Sequence, residues 1–330
     1  MTKYKYYIGI DISKDVFDIV TSDGLHKRYP NKQIGFQDFL KDIPKKSLVV
    51  MESTGYYHHQ LAQFLVKKRI KTSVVNPLSV KRFRQMRLLK IKTDKADAAI
   101  ICDYAQNNEI QLYKLKSQLE VECRQLTALA DLYQRQRTAL KNKLQAELEI
   151  GSPSMPAIRS IKRQLRALLT EILLIEKELS EKVQKLYPGQ TELLMGIPGI
   201  GPKTSNSLLL LMDGFKDFDQ AKKVCSYAGI TPTIRTSGSS VRGRSYVSKM
   251  GNPKIRNLLF LCSFSAVKFN SSCRALFERI VAKGKSKKLA LVAVSNKLLR
   301  QAYAVIKNNI PYSPNYNQPI VQPEMPAHCL

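Results

Sequence analysis

Short segments that alternate apolar and polar residues at the start of the chain limit its fold most. Residues 5–35 contain three of them. In the first, YYIGIDIS, Ile8, Ile10 and Ile12 share one face while Asp11 lies on the other, which is the pattern of a strand. The second, VFDIVT, is followed by a Ser-Asp-Gly sequence that favours a hairpin turn. The chain is therefore predicted to begin with three adjacent strands.

Helical and strand patterns alternate after these strands. GFQDFLKDI and YYHHQLAQFLVKKR have helical spacing, SLVVMES and IKTSVVNP predict strands, and residues 78–106 are predicted to be helical. This order predicts an α/β domain, in which a mixed sheet is flanked by helices on both faces.

The apolar pattern divides the chain into four parts. Residues 1–109 form the predicted α/β domain, and 110–188 carry Leu and Ile at helical spacing, interrupted near 150–158 by two prolines and a glycine. This second part predicts two long helices that form a coiled-coil or bundle arm for assembly. Residues 189–308 are predicted to be mostly helical. Residues 309–330, with five prolines and no periodicity, are predicted to be disordered.

The charge balance indicates the class of partner. Lys and Arg number 54 against 26 Asp and Glu, which gives a formal net charge of +28. Such a chain attracts polyanions, and nucleic acid is the first candidate. A membrane surface is a weaker one, because the cations are dispersed along the chain. We expect no membrane span, since the longest aliphatic run, at 208–212, is too short.

Cysteine and histidine usage favours a cytoplasmic protein without a disulfide framework or a zinc site. The six cysteines contain no C-x-x-C pair, and the four histidines form no ligand pattern. The start of the chain also lacks an apolar signal core. These features fit a reducing compartment.

A strongly cationic stretch, VKRFRQMRLLKIKTDK, leads into two acids. Asp94 and Asp97 are three residues apart, so a helix would place them on one face. On spacing alone, solvated charge pairs on a basic helix are the commoner explanation. The cations of this stretch are candidates for contact with a nucleic-acid backbone: Lys81, Arg82, Arg84, Arg87, Lys90 and Lys92.

Two further acids change that interpretation. Asp11 lies within the first strand, where an isolated acid is costly to bury, and Glu52 ends a buried strand, where open α/β sheets bind ligands. Two like charges about 4 Å apart cost about 4 kcal/mol at an effective dielectric near 20. Convergence of all four acids would therefore require protonation or bound cations. Oxygen ligands favour Mg²⁺ or Mn²⁺, and a pair of such ions can act on one phosphate.

A segment rich in serine and arginine, residues 231–257, offers a second chemistry. Its candidate residues flank a glycine: Arg235, Ser237, Ser239, Ser240, Arg242 and Arg244. A flexible Gly/Ser surface turn accounts for this composition. The alternative is a serine nucleophile that attacks a phosphodiester while arginines stabilise charge on its oxygens. No histidine lies nearby in the sequence to act as its base.

A glycine-rich turn joins two helical patterns in LMGIPGIGPKTS, residues 194–205. Gly199 and Gly201 would let backbone N–H groups approach a phosphate at the start of the next helix, where Lys203 adds a charge. This arrangement resembles a helix-hairpin-helix. A tight helix–helix turn that needs glycine for its geometry explains the sequence equally well.

Four N-terminal motifs, IGIDISKDVFD, MESTGYY, VVNP and KTDKADA, resemble the signature of the DEDD-type insertion-sequence transposases. The resemblance implies a domain similar to ribonuclease H and Holliday-junction resolvases. It also implies that Asp11, Glu52, Asp94 and Asp97 are the catalytic acids and that they bind Mg²⁺ or Mn²⁺.

Three later motifs, GIPGIGPKTS, SYAGITPT and SGSSVRG, resemble the C-terminal transposase domain of the same family. The resemblance implies that Ser237 is the catalytic nucleophile, with Ser239 and Ser240 as alternatives if the register is shifted. It implies a dimer or tetramer with composite active sites. It also implies a structured non-coding guide RNA that pairs with double-stranded donor and target DNA.

The expected function is an RNA-guided recombinase, or transposase, of an insertion sequence. It would form a covalent serine–DNA intermediate in a bacterial or archaeal cytoplasm, in association with the nucleoid. The alternative is a metal-dependent junction nuclease that uses water. A third interpretation, a non-catalytic nucleic-acid-binding protein, is disfavoured because all four acids are present.

Overall fold

The computed structural model describes residues 4–53, 55–88, 93–233, 236–237, 241–242, 246–247 and 251–314. The chain divides into two compact units, Met1–Lys116 and Ser117–Leu330. The tail that the sequence predicts to be disordered lies outside the described residues from 315 onward.

A five-stranded mixed sheet forms the centre of the first unit. Its strands are β1 (Tyr6–Ile12), β2 (Val16–Thr21), β3 (His26–Pro30), β4 (Ser47–Glu52) and β5 (Lys71–Val75). They lie in the order β3-β2-β1-β4-β5. The β1–β2 and β2–β3 pairs are antiparallel, whereas β4 runs parallel to both β1 and β5. The predicted mixed sheet is confirmed.

Helices flank this sheet on both faces, as predicted. They are α1 (Gln33–Asp42), α2 (His58–Lys67), α3 (Pro77–Met86) and α4 (Asp94–Asn107). Successive residues of β4 enter different apolar clusters: Val49 and Met51 pack with α1 and α2, whereas Leu48 and Val50 pack with α3 and α4. The single helix predicted over 78–106 is instead two helices, with 89–92 outside the described residues.

Gly9 allows α4 to lie directly against β1. A Cβ atom on Gly9 would lie 2.2 Å from the carbonyl oxygen of Ala98 and 2.3 Å from the backbone nitrogen of Cys102. No side chain fits at such distances. Because alternate residues of a strand share a face, Asp11 projects from the same side of β1 as Gly9. The close crossing therefore directs the start of α4 toward Asp11.

The second unit is mostly helical, in agreement with the prediction for this part of the chain. Its helices are α5 (Gln118–Glu149), α6 (Met155–Leu186), α7 (Gln190–Met195), α8 (Pro202–Leu211), α9 (Ala221–Ala228), α10 (Pro253–Phe269), α11 (Ser271–Ala282) and α12 (Lys287–Asn308). Its short strands are β6 (Pro232–Thr233), β7 (Thr236–Ser237), β8 (Val241–Arg242) and β9 (Tyr246–Val247).

Helices α5 and α6 form the predicted pair of long helices. The backbone N–H of Ser117 donates to the Glu120 carboxylate at 2.7 Å, and the Ser117 hydroxyl accepts from the Glu120 N–H at 3.2 Å, which caps the start of α5. Lys182 of α6 donates to Glu122 of α5 at 2.7 Å. Several large apolar side chains of the pair are exposed: Leu129, Leu132, Leu169, Leu173 and Leu174. A coiled-coil assembly through this arm remains a prediction.

Helix α12 is a core helix of the second unit. Val294, Leu298 and Leu299 have no exposed surface and belong to the same apolar cluster as Leu208 of α8 and Leu259 of α10. Among the described residues, α12 is the helix that is long and apolar enough to cross a membrane. Its place in this core accounts for that apolar composition.

Candidate active site

The four acids predicted to act together lie within electrostatic range of one another. The pKa of Asp11 is raised to about 6, first by burial and then by the negative charges of Asp97, Asp94 and Glu52, in that order. A fifth acid, Asp18, adds to the same effect. The first unit thus places its predicted acids in one region of negative charge.

Strand pairing places Glu52 beside Asp11. In the parallel β1–β4 pair, Ile10 is paired with Met51, so the residues that follow them are neighbours at the same edge of the sheet. Glu52 is the last residue of β4. Two of the predicted acids therefore come from adjacent strands at their carboxyl ends.

Asp94 and Asp97 occupy the first turn of α4. The hydroxyl of Thr93 caps this helix by accepting from the backbone N–H of Ala96 at 3.2 Å. Carboxylates are favoured at a helix N-terminus because of the helix dipole. The predicted pair on one helical face is thus a locally stable arrangement, which is brought over β1 by the crossing at Gly9.

Each of these two aspartates forms an ion pair with an arginine. Arg84 of α3 bonds Asp97. Arg28 of β3 donates from Nη2 to Asp94 at 2.8 Å, and its Nε donates to Asp18 at 3.0 Å. Two of the four acids, Asp94 and Asp97, are therefore engaged with cations of the chain itself.

The four acids have the right donor atoms for a divalent cation but are not arranged to hold one. Their donor set, carboxylate oxygens alone, is what Mg²⁺ and Mn²⁺ prefer. Their arrangement is not a formed site: among the described residues, no three Asp, Glu, His or Cys side chains are placed to hold one ion. The ion pairs of Asp94 and Asp97 provide a physical reason, since both carboxylates already bond a guanidinium.

The cationic stretch is only partly free for nucleic acid. Lys81 and Arg82 are exposed on α3. Arg84 bonds Asp97, and Arg87 donates to Asp103 at 3.1 Å while lying over the ring of Phe83. Lys90 and Lys92 lie outside the described residues.

Ser237 belongs to a ribbon of short strands in the second unit. It is paired with Val241 in the β7–β8 hairpin, beside the pair Thr236–Arg242. Strands β6 and β9 are paired with each other on either side of this hairpin in the sequence. The side chains of Ser237 and Arg242 are outside the description, as are Arg235, Arg244, Ser239 and Ser240 altogether.

The glycine-rich turn between α7 and α8 has a packing role at Gly199. This residue has a φ of +109°, and a Cβ would lie 2.8–3.0 Å from atoms of Ala266 in α10. Gly201 caps α8 in extended conformation, with no atom within 4 Å of the Cβ position. Lys203 bonds Glu176. The tight-turn explanation thus accounts for Gly199, while phosphate binding at Gly201 and Lys203 remains a prediction.

Asp18, His26 and Arg28 were not singled out by the sequence analysis. Asp18 is 2% exposed, and His26 Nε2 lies 2.7 Å from its carboxylate. The sequence feature that could have indicated Asp18 is its position as an acid within the apolar segment VFDIVT. The hairpin register that places Asp18 opposite Asp11 was needed to interpret it.

Comparison with known proteins decides the family. The family described as "Transposase" (DEDD_Tnp_IS110) matches residues 8–153, and that described as "Transposase IS116/IS110/IS902 family" matches residues 191–278. The chain belongs to the IS110 family of transposases. The acids of this transposase lie in the first matched region and Ser237 lies in the second. It is therefore an enzyme of DNA transposition and recombination.

Similar proteins match the IS110-family transposase over most of its length. A "Pilin gene-inverting protein" of Moraxella bovis is 29% identical over 323 residues, which cover 93% of this chain and 98% of that protein. The protein of the same name in Moraxella lacunata matches to the same extent. The transposase for insertion sequence element IS1111A of Coxiella burnetii is 23% identical over 88% of this chain and 86% of its own length.

Proposed function

We propose that this transposase cuts and rejoins DNA with the carboxylates Asp11, Glu52, Asp94 and Asp97 and the hydroxyl of Ser237. The observation that carries the proposal is the placement of Asp11 and Glu52 on adjacent strands, with Asp94 and Asp97 in the first turn of α4. The charges of the other three acids, after burial, raise the pKa of Asp11. Acids held so close to one another are costly without a function that uses their charge.

A divalent cation, Mg²⁺ or Mn²⁺, would be held by these four carboxylates. When bound, it would stabilise negative charge on the phosphate under attack. The support is the all-oxygen donor set and the negative charge of the neighbouring carboxylates, which raises the pKa of Asp11 and which a cation would offset. Asp94 and Asp97 would first have to share or exchange their arginine partners.

Ser237 would form a covalent link to DNA. In the first step its oxygen would bond to phosphorus as a P–O bond to the DNA breaks, and the proton lost by the serine would be balanced by the proton gained by the departing DNA hydroxyl. In the second step a hydroxyl of another strand would attack the same phosphorus and release the serine. The link preserves the phosphodiester bond energy, so strands can be rejoined without ATP. This role rests on the resemblance of SGSSVRG to the family's catalytic motif.

The assembly would be a dimer or tetramer in which the serine of one protomer meets the acids of another. Asp97 and Ser237 are 140 residues apart and belong to different units. The exposed leucines of α5 and α6 provide an apolar surface for such an assembly. The trans arrangement itself comes from the family resemblance.

A structured guide RNA from the element would supply sequence specificity by pairing with double-stranded donor and target DNA. The net charge of +28 supports binding of several nucleic-acid segments. Apart from this charge, the guide RNA is inferred only from the resemblance to the family.

Substitution of the acid and the serine tests the proposal. Asp11→Ala and Ser237→Ala should each abolish strand exchange while RNA binding survives. Ser239→Ala tests the alternative nucleophile and should retain strand exchange if the register is correct. Mass spectrometry of trapped reactions should detect DNA on Ser237 in the parent protein. Normal recombination by Ser237→Ala would refute the nucleophile. Cleavage that continues in Ser237→Ala without any serine adduct would instead support the junction nuclease.

A further inference from the structure

A cleft in the second unit is lined by α11, α12 and residues 310–314, which follow α12. Its cavity has a volume of about 1250 Å³. Pro232 of β6 and Val247 of β9, which are paired with each other, also line it. The β7–β8 hairpin that contains Ser237 lies between these two strands in the sequence. This α11–α12 cleft is therefore at the base of the ribbon that carries the predicted nucleophile.

Positive charge is concentrated in the α11–α12 cleft. Among the described residues that line it there is no Asp or Glu, whereas four are basic. Other lysines of the second unit bond acids, but these four basic residues form no ion pair within the described part of the chain. Unneutralised charge in a concave site attracts anions strongly. We call this set the cleft cations: Arg279, Lys288, Lys297 and Arg300.

Two of the cleft cations lie on a face of α12 that also has small side chains. Ala293, Lys297, Arg300 and Ala304 have the spacing of one helical face, and all four line the cleft. The Nε of Arg300 donates to Oδ1 of Asn296 at 2.9 Å, which restricts the orientation of the guanidinium. The two alanines leave room for a ligand to lie close to the helix beside both cations.

The start of α12 also favours an anion. Ser286 caps this helix by accepting from the backbone N–H of Leu289 at 3.3 Å. The first turn contains Lys288 and no acid. A lysine at this end is unfavourable for the helix dipole, whereas an anion is stabilised by both the lysine and the dipole. A bound phosphate would therefore offset the cost of this arrangement.

The rest of the lining favours a single strand over a duplex. Leu276 and Leu289 add apolar surface, and Tyr312 adds an aromatic ring whose hydroxyl donates to Oδ1 of Asn270 at 3.1 Å. Sites for single strands combine a cationic groove with aromatic side chains on which bases stack. A duplex keeps its bases stacked inside and offers mainly phosphates, so it would leave this apolar lining unused.

We propose that the α11–α12 cleft binds a single-stranded nucleic-acid segment, whose phosphates contact the cleft cations and whose bases contact the apolar lining and Tyr312. Its chemistry is that of a sugar-phosphate strand with unpaired bases, which DNA and RNA both provide. The inference rests on the proposed function for the presence of such strands, since strand exchange and guide pairing both separate a duplex.

Salt-dependent binding of the full-length protein to labelled oligothymidylate and oligouridylate, by fluorescence anisotropy, tests the cations. Lys288→Gln/Arg300→Gln changes two exposed side chains and should unfold at the parent temperature. Each phosphate contact on a single strand contributes about 0.7 to the slope of log affinity against log salt concentration, so the slope should fall in magnitude by about 1.4. The oligonucleotide that shows this change identifies DNA or RNA as the source. A parent-like slope with both would overturn the proposal.

A matched variant controls for net charge. Lys222 and Lys268 are exposed in the same unit and do not line the cleft. Lys222→Gln/Lys268→Gln should therefore keep the parent slope. An equal loss of slope in this control would also overturn the proposal.

Crosslinking locates the strand without any substitution. Ultraviolet irradiation of the parent protein with a 5-bromouracil-substituted single strand should produce adducts on Tyr312 or on peptides of α12, which mass spectrometry identifies. The same strand in a duplex should give far fewer of them. Absence of adducts from these peptides, or an equal yield from the duplex, would refute a single-strand site.

Strand exchange separates this inference from the proposed function. If Ser237→Ala and Asp11→Ala recombine normally while the cleft adducts form, the proposed function fails and the strand site stands. If these two variants lose strand exchange while the parent forms no cleft adduct, only the strand site fails.

Discussion

Asp11 and Asp18 lie directly opposite each other in the β1–β2 pair, yet the charges next to them have opposite signs. Asp18 has the cation Arg28 as a bonded partner, with His26 also in contact. The groups that shift the pKa of Asp11 by their charge are all acids. The same strand register therefore produces one neutralised carboxylate and one carboxylate that ionises with difficulty.

Asp11 should make the protein less stable as the pH rises. Its pKa is about 6 in the folded chain against 3.8 ordinarily, so between these values the folded protein holds a proton that the unfolded chain has lost. The free energy of unfolding then falls with rising pH, and above the folded-state pKa the full cost of about 2–3 kcal/mol is present. Urea unfolding without divalent cations should show Asp11→Asn equal to the parent near pH 4 and more stable by about 2 kcal/mol at neutral pH.

Substitution at the exposed Asp15, also in the first unit, controls for the change of Asp to Asn. Asp15→Asn should show no comparable gain at neutral pH. A parent-like pH profile for Asp11→Asn would mean that the acids do not converge on Asp11 in solution.

Gly9 should be intolerant of a methyl group. Gly9→Ala would place Cβ 2.2 Å from a backbone atom of α4, and backbone cannot move aside as a flexible side chain can. Overpacking of this kind costs about 3 kcal/mol or more when the element must shift. Thermal unfolding should show a large loss for Gly9→Ala. Gly151→Ala, where no atom lies within 4 Å, should change little. Equal effects of the two substitutions would contradict the close crossing of α4 over β1.

The sheet could be predicted because it depends on local patterns. The order of elements follows from the alternation of residues within strands, the turn after β2 and the alternation of strands with helices. The same patterns place Asp11 and Glu52 near the ends of strands. The long helices of the arm were equally evident from Leu and Ile spacing.

The ion pairs could not be predicted in the same way. Arg28 and Asp94 are 66 residues apart, and they meet only because α4 crosses β1 at Gly9 and the hairpin places β3 two strands from β1. The cationic stretch also predicts contact of Arg84 with DNA, and nothing in that stretch indicated its ion pair with Asp97. Which of many charged side chains form an ion pair depends on how the strands and helices pack in the folded chain. Composition does not give that information.

The two glycines of the α7–α8 turn should differ in their tolerance of alanine. Gly199 combines a φ of +109° with contacts of 2.8–3.0 Å to Ala266, so Gly199→Ala should destabilise the second unit by about 2 kcal/mol or more. Gly201 has a φ of −96° and open space at its Cβ position, so Gly201→Ala should unfold like the parent. Differential scanning calorimetry of both variants measures the contrast. Equal stability of the two would show that Gly199 is not held against α10.

Lys81 and Arg82 should contribute to DNA binding through charge alone. Both are exposed on α3, beside Arg84, which bonds Asp97. Each phosphate contact contributes about 0.9 to the slope of log affinity against log salt concentration. Lys81→Gln/Arg82→Gln should therefore reduce the magnitude of that slope by about 1.8, measured by fluorescence anisotropy on duplex DNA. Lys222→Gln/Lys285→Gln removes the same charge from exposed positions of the second unit and controls for net charge. The same slope change in both variants would mean that α3 has no specific contact with the phosphate backbone.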